Sequence, residues 1–334
     1  MARPDLPPPT EDEIIARYLA PLAGAGGLGL RDDAALLTPP PGHDLVLTTD
    51  AVVAGVHYFH DDPPLSIACK ALGVNLSDLA AKGAEPLGFL LTLALGGGWT
   101  EDWIAQFTTG LSEAAAQHGC PLLGGDTVRT GGETVIGITA FGAVPAGRMV
   151  RRTSAAAGDR ILVSGTIGDA ALGLGLRRRP PAPWSHGLGY AARAHLIDRY
   201  LHPQPRLGLV PAVRAHARAA MDVSDGLAGD LAKMMRASGT RAEVEVAAVP
   251  LSAAAREALA LDPRLLDTAL TGGDDYEILC TAAADAVPAL TAGARAAGIP
   301  LTVIGTVAEG DAAPVFRDPD GRNRSFARPS FSHF

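Results

Sequence analysis

Apolar and polar positions follow two different periods along this chain, and the switch between them marks out its elements. Over Glu11–Ala20 the apolar residues Ile14, Ile15, Tyr18 and Leu19 recur at helical spacing, which predicts one buried helix face. Thr10 and Glu13 stand in front of it as a capping box. Short β-like runs at Leu45–Thr49, Leu87–Leu95 and Thr134–Val144 are separated by helical stretches at Leu65–Ala81 and Thr100–His118. The pattern then lapses into small, basic and polar residues over Gly147–Gly158 before a new strand opens. Beyond that point strands are expected at Arg160–Ser164, Glu243–Ala247, Tyr276–Thr281 and Leu301–Val307. Helices are expected at Asp169–Arg178, Tyr190–Tyr200, Leu227–Ala237 and Asp285–Ala297. The prolines and glycine of Arg177–Gly187 predict an exposed, irregular loop. This alternation implies an α/β (α+β) protein with a domain boundary near residue 150, giving domains 1–150 and 151–334.

Length agrees with two domains, because 334 residues exceed what one hydrophobic core usually organises. The formal net charge of −8 repels phosphate backbones and anionic lipid, so neither nucleic acid nor a membrane surface is an expected partner. The most apolar run, Leu87–Leu95, ends at Gly96-Gly97-Gly98 and is too short to span a bilayer. An acidic, proline-rich N-terminal stretch lacks the basic and apolar segments of a secretory signal, so a cytoplasmic location is expected. Cys69, Cys120 and Cys280 are far apart and form no CxxC pair, which predicts core residues rather than a zinc or disulfide framework.

The chemically informative feature is the placement of acids. Asp32-Asp33, Asp50, Asp78, Asp126, Asp222 with Asp225, and Asp274-Asp275 are read as lying at element boundaries, mostly with Gly, Ser or Thr within two residues. A single such aspartate is ordinarily a turn or helix-cap residue. Their joint pattern instead offers the hard oxygen donors that Mg²⁺ prefers, and Mg²⁺ bridging phosphates is the equipment of phosphoryl transfer. Other nucleotide scaffolds are absent from the string. There is no G-x-x-x-x-G-K-[ST], no G-x-S-x-G and no protein-kinase set. The formal G-x-G-x-x-G at Gly24, Gly26 and Gly29 follows a predicted helix rather than a strand and is read as accidental.

The segments RDDAALL, TTDAVVAGVHY, KALGVNLSDLAAKGAEPLG, LLGGDT, GDRILVSGTIGDAALGL, MDVSDGLAGDL and LTGGDDYEIL occur in order across both halves. Together they resemble the signature segments of the thiamine-monophosphate kinase family, in the aminoimidazole-ribonucleotide-synthetase-like superfamily. Two relatives on the same scaffold carry a functional N-terminal or C-terminal cysteine; here no Cys precedes Cys69 and the chain ends SFSHF. The resemblance implies a two-domain fold with a mixed sheet and packed helices in each domain. It implies direct transfer of the ATP γ-phosphoryl to thiamine monophosphate in a Mg²⁺-dependent homodimer, a related synthetase acting on another small acceptor being the alternative.

Residue by residue, the resemblance implies metal ligation by Asp33, Thr48, Thr49, Asp50, Asp78, Asp126, Asp222 and Asp225. Asp50, Asp126 and Asp225 are the expected catalytic acids. Gly125, Asp126, Arg152 and Ser224 match ATP-contacting positions, while His57, Asp274 and Phe331 match the substrate side. On this reading the first domain carries most metal ligands and the second completes the nucleotide and substrate site. The chain departs from the family pattern at Arg31, where Gly is usual, and at Asp274, where Glu is usual. The chemistry needs no general base, because a phosphate monoester with a second pKa of about 6 is already anionic near neutral pH. Positioning and charge neutralisation are then sufficient.

Overall fold

A computed structural model describes residues 9–331, so most of the Pro-rich leader and the terminal His333-Phe334 lie outside the described residues. The chain divides into two compact units, one of residues 1–76 and 86–143, the other of residues 77–85 and 144–334.

The first unit opens with α1 (Glu11–Ile14), whose capping box forms as expected: Thr10 N–H donates to Glu13 Oε2 at 2.8 Å and Glu13 N–H to Thr10 Oγ1 at 3.3 Å. The expected single helix over Glu11–Ala20 is not continuous. It passes into a wider π turn over Ile15–Leu19 and a 3₁₀ turn over Ala20–Leu22, where Pro21 cannot donate to the helical ladder. Gly24, Gly26 and Gly29 fall in and beside a further 3₁₀ segment, Ala25–Leu30, in no strand-to-helix context.

Four strands follow, β1 (His43–Val53), β2 (Glu85–Leu95), β3 (Leu122–Arg129) and β4 (Val135–Pro145), in the sheet order β1-β4-β2-β3. Helices α2 (Pro64–Ala81) and α3 (Glu101–His118) supply the apolar layer. Leu72, Leu76, Phe107 and Leu111 on them and Phe89, Leu93 and Ile136 on the strands are all fully buried. Thr100 caps α3 by accepting the Trp103 N–H at 3.1 Å, and Gly119 ends it in the left-handed region at φ 61°, open to glycine at little cost.

The second unit carries a seven-stranded mixed sheet, order β11-β10-β7-β9-β5-β8-β6. Its strands are β5 (Arg160–Ser164), β6 (Ala219–Asp222), β7 (Thr240–Glu245), β8 (Ile278–Ala282), β9 (Leu301–Glu309), β10 (Val315–Arg317) and β11 (Asn323–Arg324). β10 runs parallel to β7, whereas β5 pairs antiparallel with both β8 and β9. Helices α4 (Asp169–Arg177), α5 (Tyr190–Leu201), α6 (Val210–His216), α7 (Leu227–Ser238), α8 (Ala253–Leu261), α9 (Leu265–Thr271) and α10 (Val287–Ala296) surround it.

Side-chain alternation sends successive β5 residues to opposite layers. Ile161 and Val163 pack with Leu231 and Met234 of α7, while Leu162 packs with Val213 of α6 and Leu290 of α10. Burial on both faces explains why these strands read as short continuous apolar runs. The segment Arg177–Gly187 is not wholly irregular, since Pro183–Gly187 forms a 3₁₀ turn with proline at its start, where no N–H is needed. Among the described residues no helix is long and apolar enough to cross a membrane. Cys120 and Cys280 are buried, Cys69 is half-buried, and all three are free thiols.

Candidate active site

Within the first unit, Thr48, Thr49 and Asp50 are consecutive on β1, inside the strand rather than at its end. Asp126 likewise lies within β3, and Asp78 within α2. The reading of these three acids as boundary residues is therefore corrected. Strand and helix run on because main-chain pairing continues through the polar side chains: Asp126 is in register with Thr92 of β2, Gly125 with Leu91. The pairing also explains the GGD string, because a Cβ at Gly125 would overlap the Leu91 carbonyl.

Asp50 N–H donates to the side-chain carbonyl of Asn75 at 3.0 Å, and Thr49 Oγ1 donates to Ile138 O at 3.1 Å. His57 lies just beyond β1, where its Nδ1 accepts the Val53 N–H at 3.0 Å and its carbonyl accepts Lys70 Nζ at 2.9 Å. Nδ1 as acceptor puts the proton of a neutral imidazole on Nε2. Asp33 occupies an exposed bend before β1, its N–H donating to Asp32 Oδ1 at 2.8 Å. The sheet order leaves β1 and β3, and with them Asp50 and Asp126, on opposite edges with two strands between.

The second unit gathers more. β6 ends at Asp222, which is 6% exposed, and the loop Val223–Gly226 carries Ser224 and Asp225 to the start of α7. Burial drives the Asp222 carboxyl well above the usual carboxylate range. The nearby Asp78 adds to this, Ser77 opposes it by hydrogen bonding, Asp230 raises it further, and Lys82 lowers it. Lys82 donates to Ala220 O at 2.7 Å; burial depresses its own pKa against the pull of Asp222 and Asp78.

Asp225 has a separate anchor. Its N–H donates to Asp230 Oδ2 at 2.9 Å, and Lys233 Nζ bridges the carboxylates of Asp225 and Asp230, the latter at 2.8 Å. Burial opposes the charge on Lys233, but its hydrogen bonds to the two carboxylates outweigh that and raise its pKa. Burial raises Asp230, with Lys233 acting in the opposite direction. Lys82, Asp230 and Lys233 were not among the residues expected from sequence. The i, i+3 spacing of Asp230 and Lys233 on the α7 face that follows DVSDG was the available signal.

The turn Gly272–Tyr276 lies in register with this acidic loop. Asp274 N–H donates to Ser224 O at 2.9 Å and Tyr276 N–H to Val223 O at 2.8 Å. Asp274 and Tyr276 both have left-handed backbones, at φ 72° and 50°. Phe331, 48% exposed, donates its N–H to Asp225 O at 3.0 Å, which brings the end of the described chain onto the same loop. Arg152 is exposed, and its carbonyl accepts Ser238 Oγ at 3.0 Å. Among the described residues no group of three or more His, Cys, Asp or Glu is assembled as a metal-binding set. Donors are instead grouped around Asp222 with Asp78, around Asp225, and along β1.

Comparison with known proteins gives this arrangement a family. Residues 31–144 match the profile of the AIR synthase related protein, N-terminal domain, and residues 156–316 that of the corresponding C-terminal domain. The thiamine-monophosphate kinase of Caulobacter vibrioides is 42% identical over 94% of this chain and 89% of its own length. The crystal structure of thiamine-monophosphate kinase from Stenotrophomonas maltophilia superposes with a TM-score of 0.79 at 42% identity, covering 88% of this chain and 91% of that one. A structure of AaThiL complexed with AMPPCP and TMP superposes with a TM-score of 0.75 at 29% identity, covering 91% of each chain. Two-domain architecture, matched profiles and similarity along nearly the whole length agree, and the chain belongs to the thiamine-monophosphate kinase family of AIR-synthase-related proteins.

Proposed function

We propose that this chain catalyses ATP-dependent phosphorylation of thiamine monophosphate to thiamine diphosphate, with ADP as the second product. The observation that carries the reading is near-full-length similarity to thiamine-monophosphate kinases at 42% identity, in sequence and in structure. The acceptor phosphate is anionic near neutral pH, so its oxygen attacks the γ-phosphorus directly and the β,γ-bridging oxygen leaves with ADP. The protein's task is to align the two phosphates and spread their charge.

Mg²⁺ fits the donor set, and this too is a proposal. Asp78 and Asp222 stand close enough for their charges to oppose one another, Ser77 adds a hydroxyl, and all the donors are hard oxygens. Two carboxylates suffice, because Mg²⁺ keeps waters and takes substrate phosphate as further ligands. When bound, the ion would neutralise phosphate charge; Asp33, Thr48, Thr49, Asp50, Asp78, Asp126, Asp222 and Asp225 are the proposed ligands. Gly125, Asp126, Arg152 and Ser224 are assigned to ATP, and His57, Asp274 and Phe331 to thiamine monophosphate. Here residues 1–150 supply most metal ligands and residues 151–334 the remainder, Arg152 and Ser224 for the nucleotide, and Asp274 and Phe331 for the acceptor.

A homodimer and a cytoplasmic location complete the reading. Leu45 and Leu47, alternate residues on the edge strand β1, are 37% and 59% exposed, a surface that a second copy would cover. The test is incubation of purified protein with ATP, Mg²⁺ and thiamine monophosphate, reading thiamine diphosphate and ADP in equal amounts. No thiamine diphosphate, or ADP released equally with and without the acceptor, overturns it.

A further inference from the structure

We propose that Arg206 and Glu277 are a positioning pair for the acceptor, holding the Gly272–Tyr276 turn in its left-handed conformation. The inference rests on the reading of Asp274 as a substrate-side residue. Two non-glycine residues of one five-residue turn, Asp274 and Tyr276, sit at positive φ, a conformation that persists only where the surroundings over-determine it. Glu277 follows Tyr276 directly and is 4% exposed.

Three groups hold the Glu277 carboxylate. Arg206 Nε donates to Oε2 at 2.7 Å, Arg206 Nη2 donates to Oε1, and Ser164 Oγ donates to Oε2 at 2.5 Å. Ser164 Oγ in turn accepts the Ile278 N–H at 2.8 Å, tying the start of β8 to β5. Gly165 leaves room for this arrangement, since a Cβ there would overlap both Glu277 and the Arg206 guanidinium. The Arg fork fixes the plane of the carboxylate as well as its charge. Glu277 O also accepts the Val223 N–H at 2.8 Å, so the residue is gripped at both its side chain and its main chain.

The acidic loop has a second anchor of its own, in Asp230 and Lys233; within the turn Asp275 accepts the Gly168 N–H at 2.8 Å, and the Tyr276 end is fixed by Glu277 at the exit into β8. Loosening the fork therefore releases Tyr276 toward an ordinary backbone and displaces Asp274, while Ser224 and Asp225 stay in place. Acceptor binding suffers and nucleotide binding does not.

The experiment compares the wild-type enzyme with Arg206→Lys and with the double variant Arg206→Met/Glu277→Gln. The double variant removes the guanidinium without leaving a buried charge unpaired, which protects the fold. KM for thiamine monophosphate, KM for ATP and direct binding of a non-hydrolysable ATP analogue are measured. The expected result in the double variant is a rise of about tenfold or more in KM for thiamine monophosphate, with both ATP readouts within about twofold of wild type. Arg206→Lys, which keeps the charge but not the fork, falls between. Any other division of the effect in the double variant overturns the proposal, including an unchanged KM for thiamine monophosphate or an equal rise for both substrates. Asp274→Ala separates this from the reading on which it rests: if it leaves KM for thiamine monophosphate unchanged while the double variant raises it, Asp274 is not the contact but the turn is still positioned by the pair.

Discussion

Asp126 is exposed on β3, so its carboxylate contributes little packing and is free to serve chemistry. Asp126→Asn is expected to lower kcat by about 10²–10³-fold, the scale of removing one group that stabilises transition-state charge. Stability, read from the melting curve, should change by no more than about 0.5 kcal/mol, as at other surface positions; wild-type turnover would remove the assigned role. The cysteines lead to a second prediction. Burial pushes the Cys280 thiol up to about 12, and burial, against a backbone hydrogen bond, pushes Cys120 up to about 12. Near pH 8 only about one such thiol in 10,000 is thiolate. The stabilisation from holding them neutral is complete below the unfolded value of about 8.5 and is lost as pH rises through about 12. Iodoacetamide at pH 8 should leave both unlabelled in the folded protein and label all three cysteines after denaturation, counted by intact mass; early labelling of Cys280 would contradict its placement. Their burial was legible from composition and spacing, whereas the partners of Asp222 were not, because Asp78 and Lys82 lie on a remote stretch of chain.

At the scale of elements, α7 shows how a helix organises the loop before it. Asp230 is fully buried and takes both the Asp225 N–H and the Lys233 amine. Lys233→Met leaves that carboxylate without its cation and should cost about 1–3 kcal/mol in denaturant unfolding. Adding Asp230→Asn should recover part of the loss, and simple additivity of the two substitutions would show that they do not act as a pair. The β2–β3 pair is equally exacting. Gly125→Ala forces a methyl against the Leu91 backbone and should destabilise by about 1–3 kcal/mol, with a fall in turnover because Asp126 follows it; an unchanged midpoint would refute the close approach. Periodicity located the long helices within a residue or two, Leu65–Ala81 against α2 at Pro64–Ala81 for example, but set the start of β7 three residues late and ended β1 four residues early. It missed β3, where Gly124 and Gly125 interrupt the apolar pattern, β6, which holds no β-branched residue, the short edge strands β10 and β11, and the short helices α6, α8 and α9.

For the whole molecule, the exposed leucines of β1 bear on assembly. Light scattering should give twice the chain mass of 34.2 kDa, and Leu47→Glu should halve it, since a carboxylate at a covered apolar position has no partner; a monomeric wild type would leave that surface without the proposed role. The path of the chain was less legible than its elements. Ser77–Glu85 belongs with the second unit although it lies deep in the first half of the sequence, so the end of α2 and its Asp78 join Asp222. Local periodicity, capping and the ordered acidic motifs were determined by the sequence alone, because each depends on residues a few positions apart. Which acids meet, which cation each one faces, and how Arg206 reaches Glu277 across the chain were decided only by tertiary structure. Those neighbours are distant in the chain, and packing rather than local pattern selects them.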